Sequence, residues 1–212
     1  MNNKKVVIFD FDGVITDSFD HAYYGRGVRM WPELKPHEYR DFFRGNIFEE
    51  MAKMPPSQTD PQEMEAWLKN EYFPAKRELP LFQGIEKVLE KLNKKYIIVI
   101  NSSSLNEEVE AYLDNNGIDT YVDAIYGSDV SKNKIEKFKK IFKDYSVDAH
   151  ECFFITDTIG DVLDAQQCNI PSLVVTYGYQ DKSYFESVAD SVIGFAEQPT
   201  DILAIIEGLE KS

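Results

Sequence analysis

The chain has 212 residues, a formal net charge of −14 and a hydrophobic content of 43%. This composition excludes a disordered chain, and the acidic charge argues against a partner bound through the nucleic-acid backbone. No apolar run approaches the roughly 20 residues that span a bilayer, and the N-terminal apolar segment is too short for a signal peptide. We therefore expect a cytoplasmic protein without a membrane segment or a nucleic-acid partner.

The first strand is predicted at residues 6–9, where four apolar residues lead into Asp10 and Asp12. A short run rich in Val and Ile is typical of a strand that is buried on both faces. In an extended chain, side chains two positions apart point the same way, so the two carboxylates share one side. They repel each other unless a cation, a shared proton or a basic partner compensates them. The pair therefore indicates a functional site.

Residues 17–80 contain aromatic residues at helical spacing, seven prolines and no strand-like run, which predicts several short helices. All five arginines lie in this segment: Arg26, Arg29, Arg40, Arg44 and Arg77. A guanidinium group matches carboxylate and phosphate with parallel hydrogen bonds, so this segment is expected to contact an anionic substrate. Arg44 and His21 are its candidate substrate-binding residues.

Strands and helices alternate from residue 81 onward. Strands are predicted at 96–100, 124–126, 152–155, 172–175 and 192–193, and helices at 85–92, 106–115, 135–145, 161–168 and 202–209. Strands separated by helices imply a parallel sheet with helices on both faces. The expected fold class is therefore α/β, with a doubly wound parallel sheet.

Polar residues follow several of these strands. Asp10 and Asp12 follow the first, Ser102 follows the next along the chain, and Asp157 follows the strand at 152–155. Ligands of such sheets bind at the carboxyl ends of the strands. Asp10 and Asp157 offer the hard oxygen ligands that suit Mg²⁺, which would allow Asp10 to attack a phosphoryl group. Asp12 is then placed to protonate the leaving oxygen and to activate water.

A phosphoryl group also needs hydrogen-bond donors and positive charge. Ser102 is the candidate donor, with Asn101 and Ser103 as alternatives, although Ser102 equally suits the role of a helix N-cap. A lysine near the start of the helix predicted at residues 135–145 supplies the positive charge. Lys134, which directly precedes that helix, is favoured over Lys132.

Four segments of the chain resemble the four motifs of the haloacid dehalogenase superfamily. They are DFDGVITDS from Asp10 to Ser18, the strand followed by Ser102, the lysine before a helix, and ITDTIGD from Ile155 to Asp161. Thr156 stands where the fourth motif commonly has glycine. The resemblance implies a Rossmann-like core formed by residues 1–16 and 81–212. It also implies a helical cap, formed by residues 17–80, that closes over the substrate.

The resemblance further implies a Mg²⁺-dependent, phosphoglycolate-phosphatase-like enzyme that hydrolyses a small phosphorylated metabolite. Asp10 would form an aspartyl-phosphate and Asp12 would act as acid and base. The ion would be held by Asp10, the Asp12 carbonyl and Asp157, with Asp161 orienting the lysine and the water shell. A sugar-phosphate mutase is the enzymatic alternative, since DGVITD also resembles β-phosphoglucomutase. A receiver-like or degenerate phosphoryl-binding domain is the non-enzymatic one.

Overall fold

The computed structural model describes residues 5–57 and 59–209 and contains a six-stranded parallel sheet. Its strands are β1 (Val6–Phe9), β2 (Ile97–Asn101), β3 (Ala124–Tyr126), β4 (Cys152–Thr156), β5 (Ser172–Val175) and β6 (Val192–Ala196). The spatial order is β3-β2-β1-β4-β5-β6. This sheet confirms the expected α/β fold class. The last strand is longer than predicted, because pairing with β5 carries it through Gly194, a residue that weakens a strand pattern.

Helices cover both faces of the sheet. The α-helices outside the segment 17–80 are Ile85–Asn93, Asn106–Asn115, Lys134–Tyr145, Ile159–Gln167 and Asp201–Leu209, and the 3₁₀ helices are Asp119–Tyr121, Ala149–Glu151 and Lys182–Ser191. Successive residues of β1 enter different apolar clusters. Val7 and Phe9 pack in one cluster, and Val6 and Ile8 pack in the other. All four are fully buried, which explains the continuous apolar run in the sequence.

The segment 17–80, here called the insert, contains only short helices in its described residues. They are the α-helices Phe19–Ala22, Val28–Met30, Pro36–Asp41, Ile47–Ala52, Pro61–Trp67 and Phe73–Arg77, the π-helices Tyr23–Gly27 and Leu68–Tyr72, and the 3₁₀ helix Phe42–Arg44. Asp60 caps one of them by accepting hydrogen bonds from two backbone N–H groups. The insert leaves and rejoins the sheet at one point, because Thr16 pairs with Leu81.

The order of the strands reverses at β1, which has β2 and β4 as its neighbours. The carboxyl ends of β1 and β4 therefore form the switch point, where such sheets bind their ligands. Phe9 is in register with Ile155, so Asp10 and Asp157 emerge from adjacent strand ends. Among the described residues, no helix has the length and apolar character needed to cross a membrane.

Candidate active site

A cavity of about 90 Å³ lies between the carboxyl edge of the sheet and the insert. Asp10, Asp12, Lys134 and Asp161 line it from the sheet side. The insert contributes a wall that is largely aromatic and aliphatic. The sequence predicted these four sheet-side residues in one site together with Ser102 and Asp157, which are fully buried and do not line the cavity.

Asp10 is buried and forms an ion pair with Lys134, whose Nζ lies 2.9 Å from Asp10 Oδ2. The same ammonium contacts Asp161, and Asp10 Oδ1 accepts the N–H of Phe11 at 2.7 Å. Burial raises the pKa of Asp10 well above its usual range, against the opposing charge of Lys134. The pKa of Asp161 is lowered, because Lys134 and hydrogen bonds outweigh burial. One ammonium thus holds two carboxylates together.

Asp157 is fully buried at the end of β4. Its Oδ2 accepts the backbone N–H of Tyr179 at 2.7 Å, whereas its Oδ1 has no hydrogen-bond donor among the described residues. Burial raises the pKa of this carboxyl to about 7. Gly13, at φ +80°, passes so close that a Cβ there would overlap the carboxylate. A buried carboxylate oxygen without a donor is what a bound cation would satisfy.

Asp12 lies at the centre of a separate polar network. Lys76 Nζ lies 2.8 Å from Asp12 Oδ1 and 2.9 Å from Oδ2, and Ser18 and Ser104 each donate a hydroxyl hydrogen bond. Although burial opposes it, the Lys76 charge together with these hydrogen bonds lowers the pKa of Asp12. Asp12 is therefore ionised at neutral pH in this arrangement.

Ser102 is completely buried, and its hydroxyl accepts the N–H of Ser104 at 2.9 Å. Its carbonyl accepts a hydrogen bond from Lys137, which is also fully buried. Ser103 and Ser104, rather than Ser102, line the cavity. The Ser102 hydroxyl thus stabilises its own loop, and Lys137 stabilises the same loop through its hydrogen bond to the Ser102 carbonyl.

We expect the Lys137 amine to make folding pH-dependent, because burial and the Lys134 charge lower its pKa to about 7. Above pH 7 the unfolded chain then keeps a proton at this amine that the folded chain has lost, so this group makes stability rise with pH, whereas the raised pKa of Asp10 and of Asp157 acts in the opposite direction. Over two pH units the contribution of Lys137 is roughly 2–3 kcal/mol. In urea denaturation, the change in the free energy of unfolding from pH 7 to pH 9 should be more positive in the wild type than in Lys137→Met by about this amount. The same change in both proteins would contradict the assignment.

Potential metal ligands also cluster elsewhere on the surface. Asp148, His150 and Glu151 are the residues, within the part of the chain that the structure describes, whose ligand atoms all lie within 4.8 Å of one another. The Glu151 side chain already accepts the backbone N–H of Asp148, which makes this a helix-capping arrangement. A Mg²⁺ site at the switch point needs only two carboxylates with a carbonyl and waters, so it does not require a cluster of three side chains.

The two candidate substrate residues of the insert lie away from the cavity wall. Arg44 pairs with the exposed Asp41 at 2.7 Å and stacks on Tyr184, and His21 stacks on Tyr72. Lys132 does line the cavity but makes no ion pair with Asp10 in the described structure, whereas Lys134 does.

Sequence reasoning missed four residues with contacts at or around the cavity: Arg26, Lys76, Ser104 and Lys137. The only signal was the arginine cluster, which pointed to the segment that holds Arg26 but not to Arg26 itself. Lys76 lies 64 residues from its partner Asp12, and nothing in its local sequence indicates that contact. The position of Ser104 depends on the path of its loop, and that of Lys137 depends on the rotation of its helix about its axis. Local sequence patterns indicate neither.

The fold and the cavity define an α/β protein with paired carboxylates and lysines at the switch point of its sheet. The model of the haloacid dehalogenase-like hydrolase family matches residues 7–175. The chain therefore belongs to this family, as its motifs indicated. No curated protein gave a significant match.

Solved structures share the whole fold at low sequence identity. A haloacid dehalogenase-like hydrolase from Streptococcus pneumoniae is 22% identical, with 97% of this chain and 100% of that chain covered and a TM-score of 0.73. A predicted phosphoglycolate phosphatase from Haemophilus somnus is 18% identical, with coverages of 97% and 99% and a TM-score of 0.72. CbbY from Rhodobacter sphaeroides, solved in complex with phosphate, is 15% identical, with coverages of 96% and 99% and a TM-score of 0.73.

Proposed function

We propose that this protein is a Mg²⁺-dependent phosphatase that hydrolyses a small phosphorylated metabolite through an aspartyl-phosphate on Asp10. The observation that carries this is the pair of cavity carboxylates, Asp10 and Asp12, each with its own lysine ammonium at 2.8–2.9 Å. Such an arrangement offers a nucleophile and a proton-transfer group on one wall, with positive charge to receive a phosphoryl group. One structural neighbour is named as a predicted phosphoglycolate phosphatase and another was solved with phosphate bound, and both agree with this chemistry.

Asp10 would attack the phosphorus atom, and the alcohol would leave as the bond between phosphorus and the ester oxygen breaks. Lys134 holds the Asp10 carboxylate in place and offers its charge to the phosphoryl oxygens. Asp161 also forms an ion pair with that ammonium and helps to hold it in position. Asp10, Asp157 and the Asp12 carbonyl would hold Mg²⁺, which when bound offsets the charge of the phosphoryl group.

Asp12 would transfer protons in both halves of the reaction. In its ionised state it is ready to take a proton from the water that attacks the aspartyl-phosphate. To protonate the leaving alcohol it must first gain a proton, although Lys76 favours its ionised form. If Lys76 turned from Asp12 to a phosphoryl oxygen, the pKa of Asp12 would rise and this step would become easier.

We expect Mg²⁺ to stabilise the fold through Asp157, whose Oδ1 it would satisfy. A ligand at a hundred times its dissociation constant adds about 2.7 kcal/mol, or roughly 5–10 °C in Tm for a chain of this size. Thermal melts should show this shift in the wild type and little of it in Asp157→Asn. Asp148→Asn, in the surface cluster, is the matched control and should keep the shift. Loss of the shift in Asp148→Asn alone would indicate that the ion binds the surface cluster instead of Asp157.

Phosphate release tests the activity itself. The purified protein should release phosphate from p-nitrophenyl phosphate with Mg²⁺, lose this activity in EDTA, and regain it when Mg²⁺ is restored. A panel of phosphorylated metabolites then ranks the substrates. Incubation with glucose phosphates separates the two enzymatic alternatives, because a mutase forms the isomer and a phosphatase releases inorganic phosphate. Isomer formation without net phosphate release would overturn the phosphatase assignment.

A further inference from the structure

Tyr179 lies between two of the carboxylates of the proposed reaction, Asp12 and Asp157. Its backbone N–H donates to Asp157 Oδ2 at 2.7 Å. Its phenol oxygen lies 3.0 Å from Ser18 Oγ, and Ser18 in turn donates to Asp12 Oδ1 at 2.7 Å. The residue is buried, and it is part of the cavity lining. Tyr179 thus connects the surroundings of Asp157 with those of Asp12.

The direction of the hydrogen bonds at Ser18 follows from the number of hydrogens available. Ser18 has a single hydroxyl hydrogen, which it donates to Asp12, and an ionised carboxylate can only accept. The bond between Ser18 and Tyr179 is therefore donated by the phenol, which stays protonated at neutral pH. Two successive donors thus end on Asp12, and hydrogen bonds in such a chain strengthen one another.

The Ser18 side chain does not cap the helix that follows it. Ser18 is the N-cap residue of the helix Phe19–Ala22, a position where a serine hydroxyl commonly accepts a backbone N–H of the first turn. Its hydroxyl makes no such bond and lies between Asp12 and Tyr179 instead. The hydroxyl therefore serves the carboxylate and not the helix.

The phenol is held in place by residues of the insert. Its ring packs edge-on against Phe19 and Phe43, with ring centroids 5.1 and 4.9 Å away. Arg40 Nε donates to the Tyr179 carbonyl at 2.7 Å, which restrains the backbone. Ring and backbone are both restrained, so the hydroxyl offers Ser18 a donor at a fixed position.

We propose that Tyr179 is a positioning residue that orients Asp12 for proton transfer through the Ser18 hydroxyl. This rests on the proposed phosphatase function and adds a residue to its proton-transfer step. Lys76 contacts both oxygens of Asp12. When Lys76 turns to a phosphoryl oxygen, Ser18 remains as a donor to Oδ1, and Tyr179 keeps the Ser18 hydroxyl directed at that oxygen. Tyr179 itself takes no part in bond breaking.

Tyr179→Phe tests this role, because it removes the hydroxyl and keeps the ring and the backbone N–H. Two reactions are compared with the wild type. Steady-state turnover of the alkyl phosphate that the metabolite panel ranks highest requires proton transfer by Asp12. Release of p-nitrophenolate in a single turnover, with enzyme in excess, requires no proton. We expect kcat for the alkyl phosphate to fall by roughly 3- to 10-fold, as for a lost hydrogen bond, and the single-turnover rate to stay close to that of the wild type.

Ser18→Ala tests the path from Tyr179 to Asp12. Since Tyr179 acts through Ser18, adding Tyr179→Phe to Ser18→Ala should cause no further loss of alkyl phosphate turnover. Thermal melts provide a readout besides activity. The Mg²⁺-dependent shift in Tm should be the same in Tyr179→Phe and in the wild type, because the backbone N–H that binds Asp157 is retained.

Tyr23→Phe is the matched control. Tyr23 belongs to the same aromatic cluster and also donates a buried hydroxyl hydrogen bond, to the Leu34 carbonyl, but it does not line the cavity. This variant should keep the wild-type rates in both reactions.

Three results would overturn the inference and leave the phosphatase function intact. They are wild-type turnover of the alkyl phosphate by Tyr179→Phe, equal losses in both reactions, and a further loss when Tyr179→Phe is added to Ser18→Ala. A reduced Mg²⁺ shift in Tyr179→Phe would also contradict it, because the phenol would then act on the metal site. Failure of the wild type to hydrolyse both p-nitrophenyl phosphate and every alkyl phosphate of the panel would instead overturn the phosphatase function.

Discussion

Asp10→Asn should abolish phosphatase activity, with a loss of at least about 1000-fold in kcat for p-nitrophenyl phosphate. The amide has the size of the carboxylate but cannot form the acyl-phosphate bond, so hydrolysis through an aspartyl-phosphate cannot take place. Phosphate release with saturating Mg²⁺ measures the effect, and the variant should give no burst of p-nitrophenolate.

Asp17→Asn is the matched control for Asp10→Asn. Asp17 lies in the same sequence motif, but it is exposed and does not line the cavity. It should retain activity close to that of the wild type. Thermal melts of both variants establish that they fold. Turnover by a folded Asp10→Asn protein at more than a few per cent of the wild-type rate would remove Asp10 from the nucleophile role.

Asp12→Asn should lower kcat for an alkyl phosphate by about 100- to 10,000-fold, the usual contribution of a positioned acid or base. An alkoxide needs a proton as it leaves, whereas p-nitrophenolate leaves without one. The variant should therefore react once with p-nitrophenyl phosphate and then stall, because no base activates the water. Rapid mixing should show a burst that approaches one equivalent of p-nitrophenolate per enzyme.

The two variants are distinguished by this burst. Asp12→Asn should give one, and Asp10→Asn should give none, since only the former keeps the nucleophile. Equal losses of Asp12→Asn activity for alkyl and p-nitrophenyl esters, without a burst, would contradict the acid and base role. They would point instead to Asp12 as a residue that only organises the network of Lys76, Ser18 and Ser104.

The fold was largely predictable because a parallel sheet leaves a strong local signal. Each buried strand appears as a short apolar run, and β1 ends at Phe9, directly before Asp10. The helix Ile159–Gln167 begins two residues earlier than predicted, and Asp161 lies in its first turn. The family match also favours the hydrolase over the receiver-like alternative.

The cavity wall formed by the insert was not predictable in the same way. Lys76 and Arg26 reach the cavity only after the short helices of the insert have packed on the sheet edge. Local patterns carry no information on that packing, which is why the sequence favoured the exposed Arg44 over Arg26. Ser102 illustrates the same limit at a smaller scale, because the path of the loop places Ser103 and Ser104 in the cavity lining and leaves the adjacent Ser102 out of it.

Locating the covalent phosphate tests the central claim most directly. The Asp12→Asn protein is mixed with ³²P-labelled p-nitrophenyl phosphate, whose leaving group needs no proton, and with Mg²⁺. The mixture is quenched in acid, and the labelled peptide is identified by mass spectrometry. Our account predicts one hydroxylamine-sensitive acyl phosphate per chain, on Asp10. A label on a serine of the 102–104 loop, or substrate turnover without any covalent label, would contradict it.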